Sequence, residues 1–233
     1  MADQNRARRR FLKESEGPLG AIYDKLASLP PLDLSALNPK TTALLVVDMI
    51  NGFVKAGALA SPHVLAINDA VAALVKACGA AGIRMVALCD SHPEDSPEFA
   101  SFPAHCVAGS AESEVTDEIK AAAEANGGIT RIEKGSTNGM LESQFKMWVD
   151  FSGCDTFIIV GDCTDLCVLQ LATSLKAWFN TNKKPCRVVV PAELVATYDL
   201  GEHTAPLQNR FALYNMSLNG IELVKNITTE MRT

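Results

Sequence analysis

The sequence predicts an α/β protein, a three-layer α/β/α sandwich built on six mainly parallel strands. Three observations predict it. From residue 41 onward, six short β-branched apolar runs alternate with five longer helical patterns. Repeated strand–helix order requires right-handed crossovers and a sheet covered on both faces. The 233 residues, 48% hydrophobic and 21% charged, suffice for one continuous core.

Residues 1–40 read as an N-terminal extension and residues 41–233 as the α/β domain. Within the extension a short helix is expected at 21–29, and Pro30, Pro31 and Pro39 exclude regular structure after it. The run at 41–48, TTALLVVD, is the first strand. Residues 64–81 form a helix, and 83–90, IRMVALCD, the second strand. Residues 91–113 make a long connection rich in Pro, Ser and His. A helix at 114–125 ends at Gly127 and Gly128. A strand at 129–133, a helix at 141–151 and a strand at 156–161, TFIIVG, follow. The last elements are a helix at 165–179, a strand at 187–191, a helix at 202–218 and a strand at 221–224.

Composition narrows the function. A net charge of −6 is wrong for a nucleic-acid binder, which needs a basic face. No apolar run approaches the ~20 residues that span a bilayer. The basic start, with Arg6, Arg8, Arg9, Arg10 and Lys13, lacks the apolar block of a secretory signal. It is expected to be a solvated helical extension packed on the body or on a second subunit. Seven cysteines without a regular framework fit a reducing, cytoplasmic setting. Cys78, Cys89, Cys154 and Cys186 lie in or beside apolar segments and read as small buried hydrophobes.

Parallel sheets bind ligands beyond the carboxyl ends of their strands, so the strand ends are the place to look for chemistry. Asp48 closes the first strand. A carboxylate there is partly desolvated, which suits a base of raised pKa, although strand-end Asp residues also cap loops. Asp90 closes the second strand and is followed by His92, Glu98 and His105. On an extended backbone Asp90 and His92 share a face. Two imidazoles with carboxylates suit Zn²⁺, and less well Fe²⁺ or Mn²⁺. Glu94 and Asp95 compete for the carboxylate role. Lys134 follows the third strand between strand and flexible glycines. Cys167 follows the fourth, in GDCTDLCV, with Asp165 placed to cap the helix. In a first helical turn the helix end lowers a thiol's pKa, and free N–H groups there form an oxyanion hole. A redox pair with Cys163 remains an alternative, although the spacing is not CxxC.

These residues, with VVDMINGF, DSHPEDSPE, FPAHCVAGSAESE and GDCTDLCV, resemble the isochorismatase-like cysteine hydrolases, and among them the plant-type nicotinamidases. The likeness runs from about Thr41 to Val224. It implies strand order 3-2-1-4-5-6 and a catalytic triad of Asp48, Lys134 and Cys167. It implies metal ligation by Asp90, His92 and His105, with Glu98 as a further ligand. It implies an oxyanion hole from the N–H groups of Cys163 and Cys167, with a cis peptide between Asp162 and Cys163. Phe53 and Phe102 would wall the pocket around a flat ring. Asp162 departs from the pattern, which has an aliphatic residue there. The resemblance implies hydrolysis of nicotinamide to nicotinate and ammonia, one divalent metal, and a homo-oligomer with a small-molecule amide as its other partner. Two alternatives stand beside it: hydrolysis of another small amide or ureido compound, and a non-catalytic metal-binding or redox-sensing protein.

Overall fold

A computed structural model describes residues 2–229. The chain opens with α1 (Ala2–Ala27), one 26-residue helix that joins the expected helical extension at the basic start to the short helix expected at 21–29. Its Ala, Arg, Leu, Lys and Glu residues are strong helix formers, and they carry the helix through Pro18. Arg10 and Glu14 pair at 2.7 Å one turn apart. The second half touches the body, where the Tyr23 ring lies 4.6 Å from the Arg210 guanidinium. The prolines after α1 do not exclude strand structure: β1 (Leu32–Asp33) pairs in parallel with β9 (Ile227–Thr228).

The central sheet is made of β2 (Thr42–Val47), β3 (Arg84–Asp90), β4 (Thr130–Lys134), β5 (Thr156–Asp162), β6 (Arg187–Pro191), β7 (Val195–Ala196) and β8 (Glu222–Val224). Its order is β4-β3-β2-β5-β6-β8, the expected 3-2-1-4-5-6 arrangement, with β7 as a seventh strand paired to the end of β5. Every ladder within it is parallel. Sequence reading misses β7 and β9 because two residues carry no period.

The helices are α2 (Asn51–Val54), α3 (Pro62–Ala80), α4 (Asp117–Glu124), α5 (Ser143–Ser152), α6 (Leu169–Thr181) and α7 (Ala205–Leu218). The starts of α4 and α7 fall three residues later than the apolar pattern suggests. In α7 the reason is chemical: Asp199 Oδ1 accepts the Ala205 N–H at 2.6 Å and fixes the first turn. The strands alternate between two cores. Leu44 and Val46 face α3 and α4, meeting Val71, Val75 and Ile119. Ala43, Leu45 and Val47 face α5, α6 and α7, meeting Phe145, Leu171, Leu175 and Met216. Each buried Leu or Val side chain contributes roughly 1.5–3 kcal/mol. Among the described helices, α3 is long and apolar enough to cross a bilayer. Its Val64, Val71, Val75 and Cys78 are instead packed in the first core.

Two backbone features shape the carboxyl edge of the sheet. Gly161, at φ +113°, sits so close to β2 that a Cβ there would meet the Val47 carbonyl oxygen. Any side chain would force β2 and β5 apart where both deliver residues to the crevice. Asp48, directly after β2, adopts φ +51°, a left-handed conformation that costs a non-glycine residue roughly 1–2 kcal/mol. Its amide donates to Leu88 O at 2.8 Å, and its carbonyl accepts from Ile50 at 2.7 Å, which holds the turn.

Candidate active site

Asp48, Lys134 and Cys167 converge at the carboxyl ends of β2, β4 and β5, and each is buried. The Lys134 ammonium is the hub. Its Nζ lies 2.8 Å from Asp48 Oδ2, 2.5 Å from Asp90 Oδ1, 3.2 Å from Ser136 O and 3.5 Å from Cys167 Sγ. Asp48 Oδ1 accepts the Asp90 backbone N–H at 2.8 Å. A carboxylate oxygen of Asp48, one of Asp90 and Cys167 Sγ all lie within 4.8 Å of one another.

One cation among two carboxylates sets the electrostatics. Burial, then the neighbouring Asp90 charge, pushes the Asp48 carboxyl up to about 7 despite Lys134. Burial also opposes ionisation of Asp90, but Lys134 and the two imidazoles outweigh it and hold Asp90 well below the ordinary carboxylate range. Burial works against the charge on Lys134, and the Asp48 and Asp90 carboxylates overcome it. Burial pushes the Cys167 thiol well up, with Lys134 as the opposing influence. This corrects the expectation of a thiol acidified by a helix end. The turn carrying it, Thr164–Val168, is π-helical, and α6 begins only at Leu169. Cys167 is therefore not in an α-helical first turn, and desolvation decides its state. Asp165 does not cap a helix either. Its Oδ2 sits 2.7 Å from His203 Nε2.

The peptide bond between Asp162 and Cys163 is cis. Asp162 is buried behind the turn, and burial followed by the Asp48 charge raises its carboxyl well above the ordinary value. Burial therefore disfavours the charge that would be unhelpful beside an oxyanion hole. Its Oδ2 is 3.6 Å from Cys163 Sγ.

Asp90, His92 and His105 form a buried group whose potential ligand atoms lie within 4.8 Å of one another. His105 Nδ1 is engaged with Pro103 O at 2.8 Å, leaving Nε2 to face Asp90 Oδ2 at 3.6 Å. His92 Nε2 lies 3.4 Å from Asp90 Oδ1, buried and without a hydrogen bond. An orphaned imidazole nitrogen, a second one held by a backbone carbonyl and a carboxylate fit a divalent metal well. Glu98, expected as a fourth ligand, is outside that group. It is half-buried in the pocket wall, and burial with the Asp90 charge raises its pKa.

The pocket over Cys167 is small, about 340 Å³ counting its open mouth. Phe53 and Phe102 line it as expected, and Phe53 packs on His105 with ring centroids 5.6 Å apart. Leu59, Thr137, Leu166 and Tyr198 line it too, and sequence reading did not single them out. Tyr198 lies in LVATYDLGEH, where no hydrophobic period marks which side chains face inward. The pocket wall carries the acids Asp90 and Glu98, and the Lys134 ammonium lies 3.5 Å from Cys167 at its base.

A model of the isochorismatase domain matches residues 42–219. Nicotinamidase 1 of Arabidopsis thaliana is 29% identical over 239 residues, covering 90% of this chain and 97% of that protein. The chain is similar in structure to N-carbamoylsarcosine amidase of Thermoplasma acidophilum (TM-score 0.63, 25% identity, 83% of this chain and 99% of that one). It shares its fold with the pyrazinamidase of Pyrococcus horikoshii, solved in complex with zinc (TM-score 0.63, 23% identity, 79% of this chain and 99% of that one). With the strand order and the matched span in agreement, the chain belongs to the isochorismatase family of hydrolases.

Proposed function

We propose that this protein is a cysteine amidohydrolase that converts nicotinamide to nicotinate and ammonia. The observation that carries the reading is the Lys134 ammonium joining Asp48 to Cys167 at the base of an aromatic-walled pocket. A buried neutral thiol needs a base, and Asp48, with its carboxyl raised to about 7, is matched to that task near neutral pH.

The steps follow from the groups present. Asp48 takes the Cys167 proton, and Lys134 stabilises the thiolate that results. The thiolate attacks the carboxamide carbon, and backbone N–H groups of Cys163 and Cys167 receive the oxyanion charge. The C–N bond breaks as Asp48 returns the proton to the departing nitrogen, giving ammonia and a thioester on Cys167. Water then attacks the thioester, Asp48 accepts its proton, and nicotinate leaves with the thiol restored. A divalent metal held by Asp90, His92 and His105 would supply a Lewis-acidic anchor for the pyridine nitrogen. Zinc is the ion these ligands suit best, in keeping with the zinc complex of the archaeal pyrazinamidase.

The pocket also supports the choice among amides. Phe53, Phe102 and Tyr198 offer aromatic contact to a flat ring. Ureido acids carry a carboxylate, and Glu98 in the pocket wall opposes one. A redox role for Cys163 and Cys167 is opposed by burial, which pushes both thiols well up. Seven free cysteines support a reducing, cytoplasmic compartment. Exposed Phe11 and Leu12 on α1 support packing against a second copy.

The test is ammonia release from a panel of nicotinamide, pyrazinamide, benzamide and N-carbamoylsarcosine, with and without chelator. The reading requires nicotinamide to be turned over, with a loss on metal removal. Release from N-carbamoylsarcosine alone would replace it with the ureido alternative.

A further inference from the structure

The protein has four histidines. His92 and His105 face Asp90. The other two, His63 and His203, each meet a carboxylate around the segment 197–204 that links β7 to α7. His63 Nε2 is 2.7 Å from Asp199 Oδ2. Ser61 Oγ donates to Thr197 O at 3.3 Å. His203 makes three contacts at once: its Nδ1 is 2.9 Å from Tyr198 O, its Nε2 is 2.7 Å from Asp165 Oδ2, and its ring stacks on Tyr198 at 4.1 Å and 8°. Asp165 belongs to the π-helical turn that carries Cys167. Tyr198 lines the pocket beside Cys163, Leu166 and Cys167.

From this arrangement we infer that Tyr198 is a specificity-determining residue for a planar aromatic amide, held in register with Cys167 by the positioning pair His203–Asp165. The inference rests on the aromatic carboxamide reading above and deepens it. Phe53 and Phe102 enter the pocket from the segments after β2 and β3, whereas Tyr198 enters from the segment after β7, which pairs with β5. Aromatic surface therefore reaches the substrate from two sides of the crevice. The stack on His203 covers one face of the Tyr198 ring, and the same imidazole anchors its carbonyl. Rotamer freedom that a loop tyrosine would lose on binding is already lost, so the wall is preorganised. Because His203 also holds Asp165, the wall and the nucleophile turn are fixed to each other.

The test compares wild type, Tyr198→Ala, Tyr198→Phe, His203→Ala and the double variant Tyr198→Ala/His203→Ala. Nicotinamide turnover gives KM and kcat. Alkylation of Cys167 by iodoacetamide, a small aliphatic amide that reacts with the same thiol, reports on the turn itself. Tyr198→Ala is expected to raise the nicotinamide KM about 3–10-fold, the worth of one aromatic contact, with kcat and the alkylation rate changing far less. Tyr198→Phe restores the KM. His203→Ala raises KM as well, and in the double variant the two effects fall short of multiplying, because one residue acts through the other. An unchanged KM in Tyr198→Ala overturns the inference, as does an alkylation rate that falls by the same factor as KM rises. Full multiplication in the double variant overturns the role of His203. Wild type inactive on nicotinamide overturns the substrate reading and this inference with it, whereas an active wild type with an indifferent Tyr198→Ala overturns this inference alone.

Discussion

The carboxyl edge of the sheet divides into two halves of opposite character. The ends of β2, β3 and β4 deliver Asp48, Asp90 and Lys134, which pair with one another at 2.5–2.8 Å. The ends of β5 and β7 deliver Cys163, Cys167 and Tyr198, whose titratable groups are all pushed up, chiefly by burial. Two carboxylates hold the one ammonium of the charged half, so a neutral, buried thiol can sit 3.5 Å from Lys134 without ionising in the resting state. Neither half can act alone. The proton acceptor and the nucleophile stand on different strands, and only the close approach of β2 and β5 at Gly161 puts them together.

The largest effect should come from the neutral half. Cys167→Ala should lower turnover by roughly 10⁴-fold or more, the scale for losing a nucleophile, with circular dichroism and metal content unchanged. Retained ammonia release would break the division of labour outright. Asp48→Asn probes the charged half and should cost about 10²–10⁴-fold in kcat, the usual worth of acid–base catalysis. It carries a pH signature. The Asp48 carboxyl is raised from its ordinary 3.8 to about 7. A raised carboxyl contributes stability in acid that is lost as pH climbs from about 4 through about 7. Activity runs the opposite way, because the base form appears over that window. Asp48→Asn should flatten the melting-temperature change between those limits, and a change that persists in Asn would assign it to another group.

Lys134→Met tests the contact between the halves. Two buried carboxylates lose their cation, so the fold should lose about 3–5 kcal/mol, readable by urea denaturation. Cys167 should then alkylate at higher pH, since Lys134 is the influence that draws its pKa down. Alkylation at the same or lower pH would remove Lys134 from the unit. The smallest effect belongs to the metal group. His92→Ala should lose bound metal by elemental analysis and raise the nicotinamide KM by about 10–100-fold. Full occupancy in that variant would break the ligand assignment.

The same two halves differ in how much the sequence reveals. Asp48 and Asp90 are conspicuous because each closes an apolar strand on the ligand side of a parallel sheet. The strands themselves are legible for the same reason, while their order came from family resemblance. The neutral half is much less so. A π-helical turn leaves no periodic signal, and the expected acid thiol assumed an α-helical end with less burial. Tyr198 stands in a loop where no hydrophobic period marks which aromatics face inward. His203 and Asp165 are 38 residues apart, and their pairing depends on β7, a strand too short to read. Glu98 shows the converse, since a carboxylate at a suitable spacing lies in the pocket wall outside the group of Asp90, His92 and His105. α1 runs further than the short helix expected at 21–29 because its Ala, Arg, Leu, Lys and Glu residues favour helix strongly enough to continue through Pro18.

The most direct measurement is mass spectrometry of the protein after rapid acid quench during nicotinamide turnover. The account predicts a nicotinoyl thioester on the peptide containing Cys167, absent from Cys167→Ala. Steady ammonia release with no acyl group on Cys167, undiminished in Cys167→Ala, would contradict it.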